Sequence, residues 1–225
     1  MSGLQFANHG NIEMQSSAIR FLCTTNPRRI VSTAESRNLS RNLLRNLTID
    51  YNEVIMDIRR LTERDAESFR QLRFEALQLE PWAFTESTAE HQAMTLETIQ
   101  HRLGSGACGD NFVLGVFDAG QLVGMAGFYR RQGEKICHRG EIWGVYVARQ
   151  HRGKSLGRTL LEELIRQLRS NPGLEQVALG VSAGNVSAKR LYESLGFETY
   201  GRETHALKIG ESFVDEELMV FYFAR

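Results

Sequence analysis

The segment from residue 148 to residue 158 combines two glycines with four positively charged side chains. It reads Ala-Arg-Gln-His-Arg-Gly-Lys-Ser-Leu-Gly-Arg and lies between a predicted strand and a predicted helix. A loop at such a place directs backbone N–H groups and the positive end of the helix dipole at one point, which suits a phosphate or diphosphate. Arg152, Lys154 and Arg158 would add charge. The alternative is an ordinary strand-to-helix turn, which rarely carries so much glycine and positive charge together.

One candidate phosphate ligand is a nucleoside triphosphate. Gly153-Lys154-Ser155, with Ala148 five residues before the glycine, satisfies a permissive phosphate-loop pattern, although the stricter pattern has glycine at the first position. A nucleotide hydrolase also needs an acidic residue at the end of another strand to hold magnesium. The strand that ends near Val181 is followed by Ser-Ala-Gly-Asn instead. The sequence therefore disfavours this interpretation without removing it.

A second motif favours a different ligand. Residues 185–197 read Asn-Val-Ser-Ala-Lys-Arg-Leu-Tyr-Glu-Ser-Leu-Gly-Phe, after a strand and at the start of a helix. The two segments, in this order, resemble the R/Q-x-x-G-x-G/A loop and the N-x-x-A-x-x-L-Y-x-x-x-G-F signature of the GNAT superfamily of acyl-CoA-dependent N-acetyltransferases. Ser155 stands where the loop pattern has its first glycine. The resemblance extends over roughly residues 54–223.

The resemblance implies acetyl-CoA as co-substrate, and no metal. The strand residues Val145, Tyr146 and Val147 would pair with the pantetheine arm, and Asn185 would contact that arm from the opposite strand end. The CoA diphosphate would be held by Arg152 and by the backbone N–H groups of Gly153, Lys154, Ser155, Leu156, Gly157 and Arg158.

The resemblance also implies catalytic residues. Tyr192 matches the family's general acid, because a phenol is protonated near pH 7 and can donate to the leaving sulfur; a tyrosine that merely packs on the core is the alternative. Glu141 opens a strand, as does the glutamate that serves as base in the histone acetyltransferase branch. A strand-end carboxylate without catalytic role is the alternative, and His138 is a weaker candidate. Other branches place a glutamate five residues before the asparagine, where this chain has Gly180.

The acceptor site would lie between the early helices and the last hairpin. Aromatic and acidic residues there could form its walls, although such aromatics are more often part of a core. The acceptor is expected to be a small-molecule amine or a peptide or protein amine, and the sequence does not identify it. The candidate lining residues are Trp82, Phe84, Glu86, Tyr129 and Trp143.

Periodic patterns predict the elements that must position these residues. Leucines recurring from 156 to 168 predict an amphipathic helix, and a second stripe from Ala66 to Leu77 predicts another. By the two-residue period of a strand, Glu141, Trp143, Val145 and Val147 share one face. Helices are also expected at 86–103 and 186–195, and strands at 54–61, 112–117, 122–129, 141–148, 176–181 and on both sides of Gly210.

These elements predict an α/β (α+β) domain in one piece. With the resemblance, the expected fold is a GNAT-like mixed, mostly antiparallel twisted sheet of six to seven strands flanked by about four helices. The domain is predicted to span residues 54–225, and Met56 stands directly before its first strand. Residues 1–53 are predicted to be a disordered or weakly helical extension. Residues 1–55 contain six arginines and no lysine, so an organelle transit peptide is the alternative for this extension.

Composition limits the partners. The 225 residues contain 27 basic and 27 acidic side chains, which argues against a broad basic surface for nucleic acid or anionic membrane. No apolar run reaches the roughly 20 residues that span a bilayer. Cys23, Cys108 and Cys137 are widely spaced, which argues against a disulfide scaffold or zinc site and favours the reduced cytoplasm.

Two functional hypotheses remain beside the nucleotide hydrolase. The leading one is an N-acetyltransferase, acting as a monomer or homodimer, in which an amine attacks the thioester directly. The other is a catalytically silent module that binds CoA for regulation.

Overall fold

The computed structural model describes residues 56–104 and 109–223, which form one seven-stranded sheet in the order β1-β2-β3-β4-β5-β7-β6. All neighbouring strands are antiparallel except β4 and β5. This arrangement confirms the expected mixed, mostly antiparallel sheet. The strands are β1 Met56–Arg60, β2 Asn111–Asp118, β3 Gln121–Arg130, β4 Arg139–Val147, β5 Gln176–Ser182, β6 Glu198–Ile209 and β7 Ser212–Tyr222.

The described residues contain five α-helices rather than about four, because the helical region predicted at 86–103 is two helices. Ser87 caps the first of these by accepting a hydrogen bond from the Glu90 N–H, and Met94 ends it in an extended conformation. The Thr95 hydroxyl then accepts from the Thr98 N–H and begins the next helix. The helices are α1 Ala66–Leu79, α2 Thr88–Ala93, α3 Leu96–Gly104, α4 Leu156–Arg169 and α5 Val186–Ser194.

Two apolar clusters cover the two faces of the sheet. On one face α4 buries Leu160, Leu161 and Leu164 completely against the strands, as its leucine spacing predicts. On the other face α1 and α3 pack against the sheet, with Ala76 of α1 and Ile99 of α3 fully or almost fully buried. The two faces are called the α4 face and the α1 face below.

A bulge at Gly144 in β4 reverses which side chains of that strand project to each face of the sheet. Gly144 has φ +63°, and the register of β4 against β3 shifts between Gly127 and Met125. A bulge of one residue exchanges the two faces of every residue that follows. Trp143 therefore packs on the α1 face, whereas Val145 and Val147 pack on the α4 face. The prediction that all three share one face with Glu141 was wrong.

The parallel neighbours β4 and β5 pair over a short stretch. Their register runs from Arg139 opposite Gln176 to Glu141 opposite Ala178. Beyond these pairs the two strands separate, while β5 stays paired with β7 as far as Ser182. The separation leaves an opening in the middle of the sheet.

Several predictions concern residues outside the described ranges. The extension predicted at 1–53 lies outside them, as do Cys23 and Cys108. Of the helices that the structure describes, none is both long enough and apolar enough to cross a membrane.

Candidate active site

The loop before α4 and the first turn of that helix present a row of backbone N–H groups. Gly153 has φ +79° and Ser155, the N-cap residue of α4, has φ +60°. The first N–H in this stretch with a protein acceptor is that of Thr159, which donates to the Ser155 carbonyl at 3.1 Å. Within the described ranges, the N–H groups of residues 153–158 have no protein acceptor. Such a row at a helix N-terminus fits the diphosphate of CoA.

Three of the four positive side chains in segment 148–158 bind other parts of the protein, and one of them, Arg149, donates from Nη2 to the Leu79 carbonyl at 3.1 Å. The Arg152 Nε donates to the Val147 carbonyl at 2.8 Å, and its Nη1 lies 2.7 Å from a carboxylate oxygen of Glu80. The Arg158 Nη2 donates to the Ser194 hydroxyl at 2.7 Å. Lys154 is freer, since half of its side chain is exposed and its nearest carboxylate is 3.9 Å away.

The segment Val145–Val147 borders the opening in the sheet. Tyr146 and Val147 pair with β3 on one side, and no described strand pairs with them on the other. Their free backbone edge leaves room for an extended arm, and the pairing with pantetheine stays a prediction. The Tyr146 hydroxyl donates to Glu75 at 2.9 Å. Burial, together with this hydrogen bond, raises the pKa of Tyr146 to about 12.

The start of α5 lies at the other side of the opening, after β5. The Asn185 Oδ1 accepts hydrogen bonds from the Ala188 N–H at 3.2 Å and from the Ser187 hydroxyl at 3.0 Å. Asn185 is therefore the N-cap of α5. Its predicted contact with the pantetheine arm stays a prediction.

Tyr192, the predicted general acid, is 6% exposed. Its ring packs edge-to-face on Phe197, with 5.8 Å between the ring centroids. Burial raises the pKa of the Tyr192 hydroxyl, so the phenol keeps its proton at neutral pH. This state is the one that a general acid requires. The same packing is also that of a core tyrosine, and the catalytic role stays a prediction.

A cleft of about 280 Å³ lies on the α1 face. Of the five predicted lining residues, Glu86, Tyr129 and Trp143 line it. Phe84 is buried outside the cleft wall, with its ring edge-on to Tyr146. Trp82 is 45% exposed, and its carbonyl accepts a hydrogen bond from Ser182 on β5.

Arg73, Glu86 and His91 form a charged group at the cleft wall, and of these only Glu86 was predicted there from the sequence. The Arg73 Nε donates to Glu86 at 2.9 Å, and the His91 Nδ1 lies 3.3 Å from the other oxygen of the same carboxylate. Burial alone would raise the pKa of Glu86, but the hydrogen bonds with His91 and Arg73 outweigh it and hold that pKa below its usual value. Arg73 lies within the helical stripe predicted from Ala66 to Leu77, and that pattern did not predict its pairing with Glu86.

Arg73 is also placed against the bulge of β4. Its guanidinium lies over the ring of Phe84, 4.5 Å from the centroid, and 5.9 Å from that of Trp143. The Arg73 Nη1 is buried without a hydrogen-bond partner among the described residues. A Cβ on Gly144 would lie 3.4 Å from this nitrogen. Arg73 of α1 therefore lies next to the bulge at Gly144.

Glu141, the predicted base, is bound by an arginine. Both Nε and Nη2 of Arg131 donate to Glu141 Oε1, the Nε at 2.9 Å. Burial, with the negative charge of Glu141 next, raises the pKa of Tyr129, which lies opposite Glu141 on β3. His138, the weaker candidate, is half-buried, and its carbonyl accepts from the Glu175 N–H. Catalysis by either residue stays a prediction.

Metal ligation finds no support in the described ranges. No group of three or more His, Cys, Asp or Glu side chains there is arranged to hold an ion.

A family model described as "Acetyltransferase (GNAT) family" matches residues 68–197, more than half of the 225-residue chain. The chain belongs to the GNAT acetyltransferase family. The match includes the loop before α4, the opening between β4 and β5, and Tyr192. It confirms the resemblance inferred from the two motifs.

Relatives of this GNAT chain have different acceptors in their names. A mycothiol acetyltransferase from Thermobispora bispora is 50% identical over 58 residues, which are 26% of this chain and 19% of that protein. The spermine/spermidine N(1)-acetyltransferase of Bacillus subtilis (strain 168) is 29% identical over 92 residues, 39% of this chain and 60% of that protein. The chain thus matches from about a fifth to three fifths of these relatives' lengths.

A solved structure shows the same fold. It is yncA, a putative acetyltransferase from Salmonella typhimurium with its cofactor acetyl-CoA, and it has a TM-score of 0.66 and 23% sequence identity. The comparison covers 76% of this chain and 95% of the other.

Proposed function

We propose that this chain transfers an acetyl group from acetyl-CoA to a primary amine in a ternary complex. The observation that carries the proposal is the row of free N–H groups at residues 153–158 beside an opening in the sheet. A thioester whose diphosphate is held at that loop could extend its arm along β4 and reach the α1 face. The cofactor in the yncA structure supports acetyl-CoA as the donor.

The chemistry requires an acid and a base. As the amine attacks the thioester carbon, the C–S bond breaks and the sulfur takes a proton, which Tyr192 would give. Glu141 is the base inferred from the sequence, and its ion pair with Arg131 would have to open before it could accept a proton. The buried Arg73–Glu86 pair would fix the cleft wall beside the acceptor.

The acceptor is proposed to be a small amine. The printed names of the mycothiol and spermine acetyltransferases support this class. The cleft, at about 280 Å³, lies at the lower end of the usual volumes of ligand pockets, which suits a small acceptor. The reaction is proposed to take place in the cytoplasm, where the exposed free thiol of Cys137 would stay reduced.

Binding is tested first with fragments of the donor. Acetyl-CoA at 100 times its Kd should stabilise the full chain by about 2.7 kcal/mol in a thermal-shift assay. S-acetylpantetheine, which lacks the diphosphate, should shift the Tm far less, and ATP with magnesium should not shift it. A shift with ATP alone would contradict the proposal and favour a nucleotide hydrolase.

Turnover is tested next through Tyr192. Tyr192→Phe should lower the rate of amine-dependent thiol release by about 10² or more, the usual contribution of a positioned acid. The control is Tyr222→Phe, which changes a tyrosine that is 60% exposed. Equal rates for the two variants at saturating substrates would remove Tyr192 from this role. Donor binding without turnover for any amine would favour the silent CoA-binding module.

A further inference from the structure

Glu216 lies on the α1 face, on the strand that neighbours β5 at the opening in the sheet. It stands on β7 directly opposite Ser182 of β5, and opposite Glu203 of β6 on its other side. Residues paired across antiparallel strands project to the same face. The Ser182 hydroxyl donates to the Trp82 carbonyl, in the turn after α1. Glu216 therefore projects to the face that carries the cleft.

The carboxylate of Glu216 occupies the space above Gly180. A Cβ built on Gly180 would lie 2.7 Å from Glu216 Oε2 and 3.3 Å from its carboxyl carbon. Gly180 is two residues beyond Ala178, the last residue of β5 that pairs with β4. The side chain of Glu216 thus crosses from β7 to β5 at the point where the sheet opens.

Glu216 differs from the two other half-buried carboxylates near the cleft, Glu86 and Glu141. Glu86 and Glu141 are bound by Arg73 and Arg131. Within the described ranges, Glu216 has no hydrogen-bond or ion-pair partner. The next residue, Glu217, projects to the α4 face and pairs with Lys189 of α5.

The surroundings of Glu216 favour proton uptake. Burial raises the pKa of its carboxyl group, and the negative charge of Glu203 raises it further. From β5 the facing residues, Gly180 and Ser182, carry no charge. The pKa of a half-buried carboxylate with free lone pairs is closer to the operating pH than the pKa of an ordinary carboxylate. Such a group is therefore a better general base.

We propose that Glu216 is the catalytic base that takes the proton from the acceptor amine. This inference rests on the proposed function. The ammonium group of the acceptor gives one proton to the Glu216 carboxylate, which releases it to solvent. The neutral amine then forms the C–N bond, and the C–S bond breaks. Tyr192 gives its proton to the departing thiolate, and the second nitrogen proton, lost as the amide forms, returns through solvent to the Tyr192 phenolate.

The test compares three variants of the full chain in amine-dependent thiol release. Glu216→Gln should lower kcat at neutral pH by about 10² or more and leave the KM for acetyl-CoA unchanged. It should also remove the acidic limb of the pH–rate profile. Glu217→Gln, on the opposite face, should keep kcat within about twofold of the wild type. Glu141→Gln should lower kcat less than Glu216→Gln does.

A relocated carboxylate provides the rescue. Because Glu216 fills the space over Gly180, the double variant Gly180→Glu, Glu216→Gly returns a carboxylate to this space from β5. We expect the kcat of this double variant to be at least about tenfold higher than that of Glu216→Gln. Glu216→Ala provides a second single variant in case the glutamine variant fails to fold, and each variant should keep the acetyl-CoA thermal shift.

Full turnover by both single variants at Glu216, with loss in Glu141→Gln, would overturn the inference and leave the proposed function intact. A wild-type chain that turns over no amine would instead contradict the proposed function itself, and this inference with it.

Discussion

The Arg73 Nε donates a hydrogen bond to Glu86 Oε2 at 2.9 Å, and this ion pair joins α1 to the wall of the cleft. Its arginine is 6% exposed and its glutamate 22%. Removing one member of a buried pair leaves the other charge without compensation, which is costly. The pair therefore links the stability of the domain to the shape of its cleft.

The first prediction concerns this pair. Arg73→Met should lower the free energy of unfolding by about 3 kcal/mol, measured by urea denaturation. The control is Arg166→Met, which removes an exposed pair with Glu163 on α4. That variant should lose less than about 1 kcal/mol. Equal losses in the two variants would show that Arg73 is not the buried partner described above.

The second prediction concerns the loss of folding stability at low pH. The hydrogen bond from Arg59 is the main reason that the pKa of Asp65 falls from 3.8 to about 2, and the Thr62 N–H contributes as well. A lowered pKa stabilises the folded state at every pH above the unfolded value. This contribution, about 2 kcal/mol, should be lost as pH falls from about 4 to about 2.

Asp65→Asn isolates that contribution. The variant should be less stable than the wild type at pH 7, and the two unfolding free energies should converge towards pH 2. Urea titrations at a series of pH values measure both. A difference that stays constant from pH 7 to pH 2 would contradict the assignment to Asp65.

The third prediction concerns the cleft wall. Trp143 packs over Gly127, its partner on β3, and its ring atoms fill the space that a Cβ on Gly127 would need. Gly127→Ala should displace the indole, raise the KM for the acceptor and cost about 1 to 3 kcal/mol of stability. Gly201→Ala is the matched control, because its Cβ would meet Leu218 at an ordinary 3.7 Å. An acceptor KM unchanged in both variants would place the acceptor away from Trp143.

The fourth prediction concerns the loop before α4. Ser155 holds φ +60°, a left-handed conformation that costs a residue with a Cβ roughly 1 kcal/mol. Ser155→Gly should raise the Tm and preserve acetyl-CoA binding, because the N–H groups stay in place. Ser170→Gly, at the other end of the same helix with φ −88°, should lower the Tm. A lower Tm for Ser155→Gly would show that the residue is unstrained.

The order of the elements was accessible from the sequence because each follows a simple period. The leucines of α4 lie one helical turn apart, and all of them are buried as predicted. The loop at 148–158 and Asn185 also occur where predicted, each between a strand and a helix. Local patterns of this kind depend only on neighbours along the chain.

Long-range geometry was not accessible in the same way. The bulge at Gly144 inserts one residue into the alternation, and the apolar pattern Val-Tyr-Val that follows is compatible with either facing. The pair of Arg73 with Glu86 depends on how α1 packs against the segment before α2. The place of Glu216 depends on the register of β7 against β5 and on the missing side chain of Gly180.

Acetyl transfer to an amine is measured by following both products of the reaction with the full chain. Acetyl-CoA is incubated with spermidine, an amino sugar or an alanyl peptide, while free thiol and the mass of the amine are measured together. At least one amine should gain a single acetyl group, and thiol should appear in equal amount. Thiol release that is independent of every amine, or the absence of any acetylated amine despite bound acetyl-CoA, would contradict acetyl transfer to an amine.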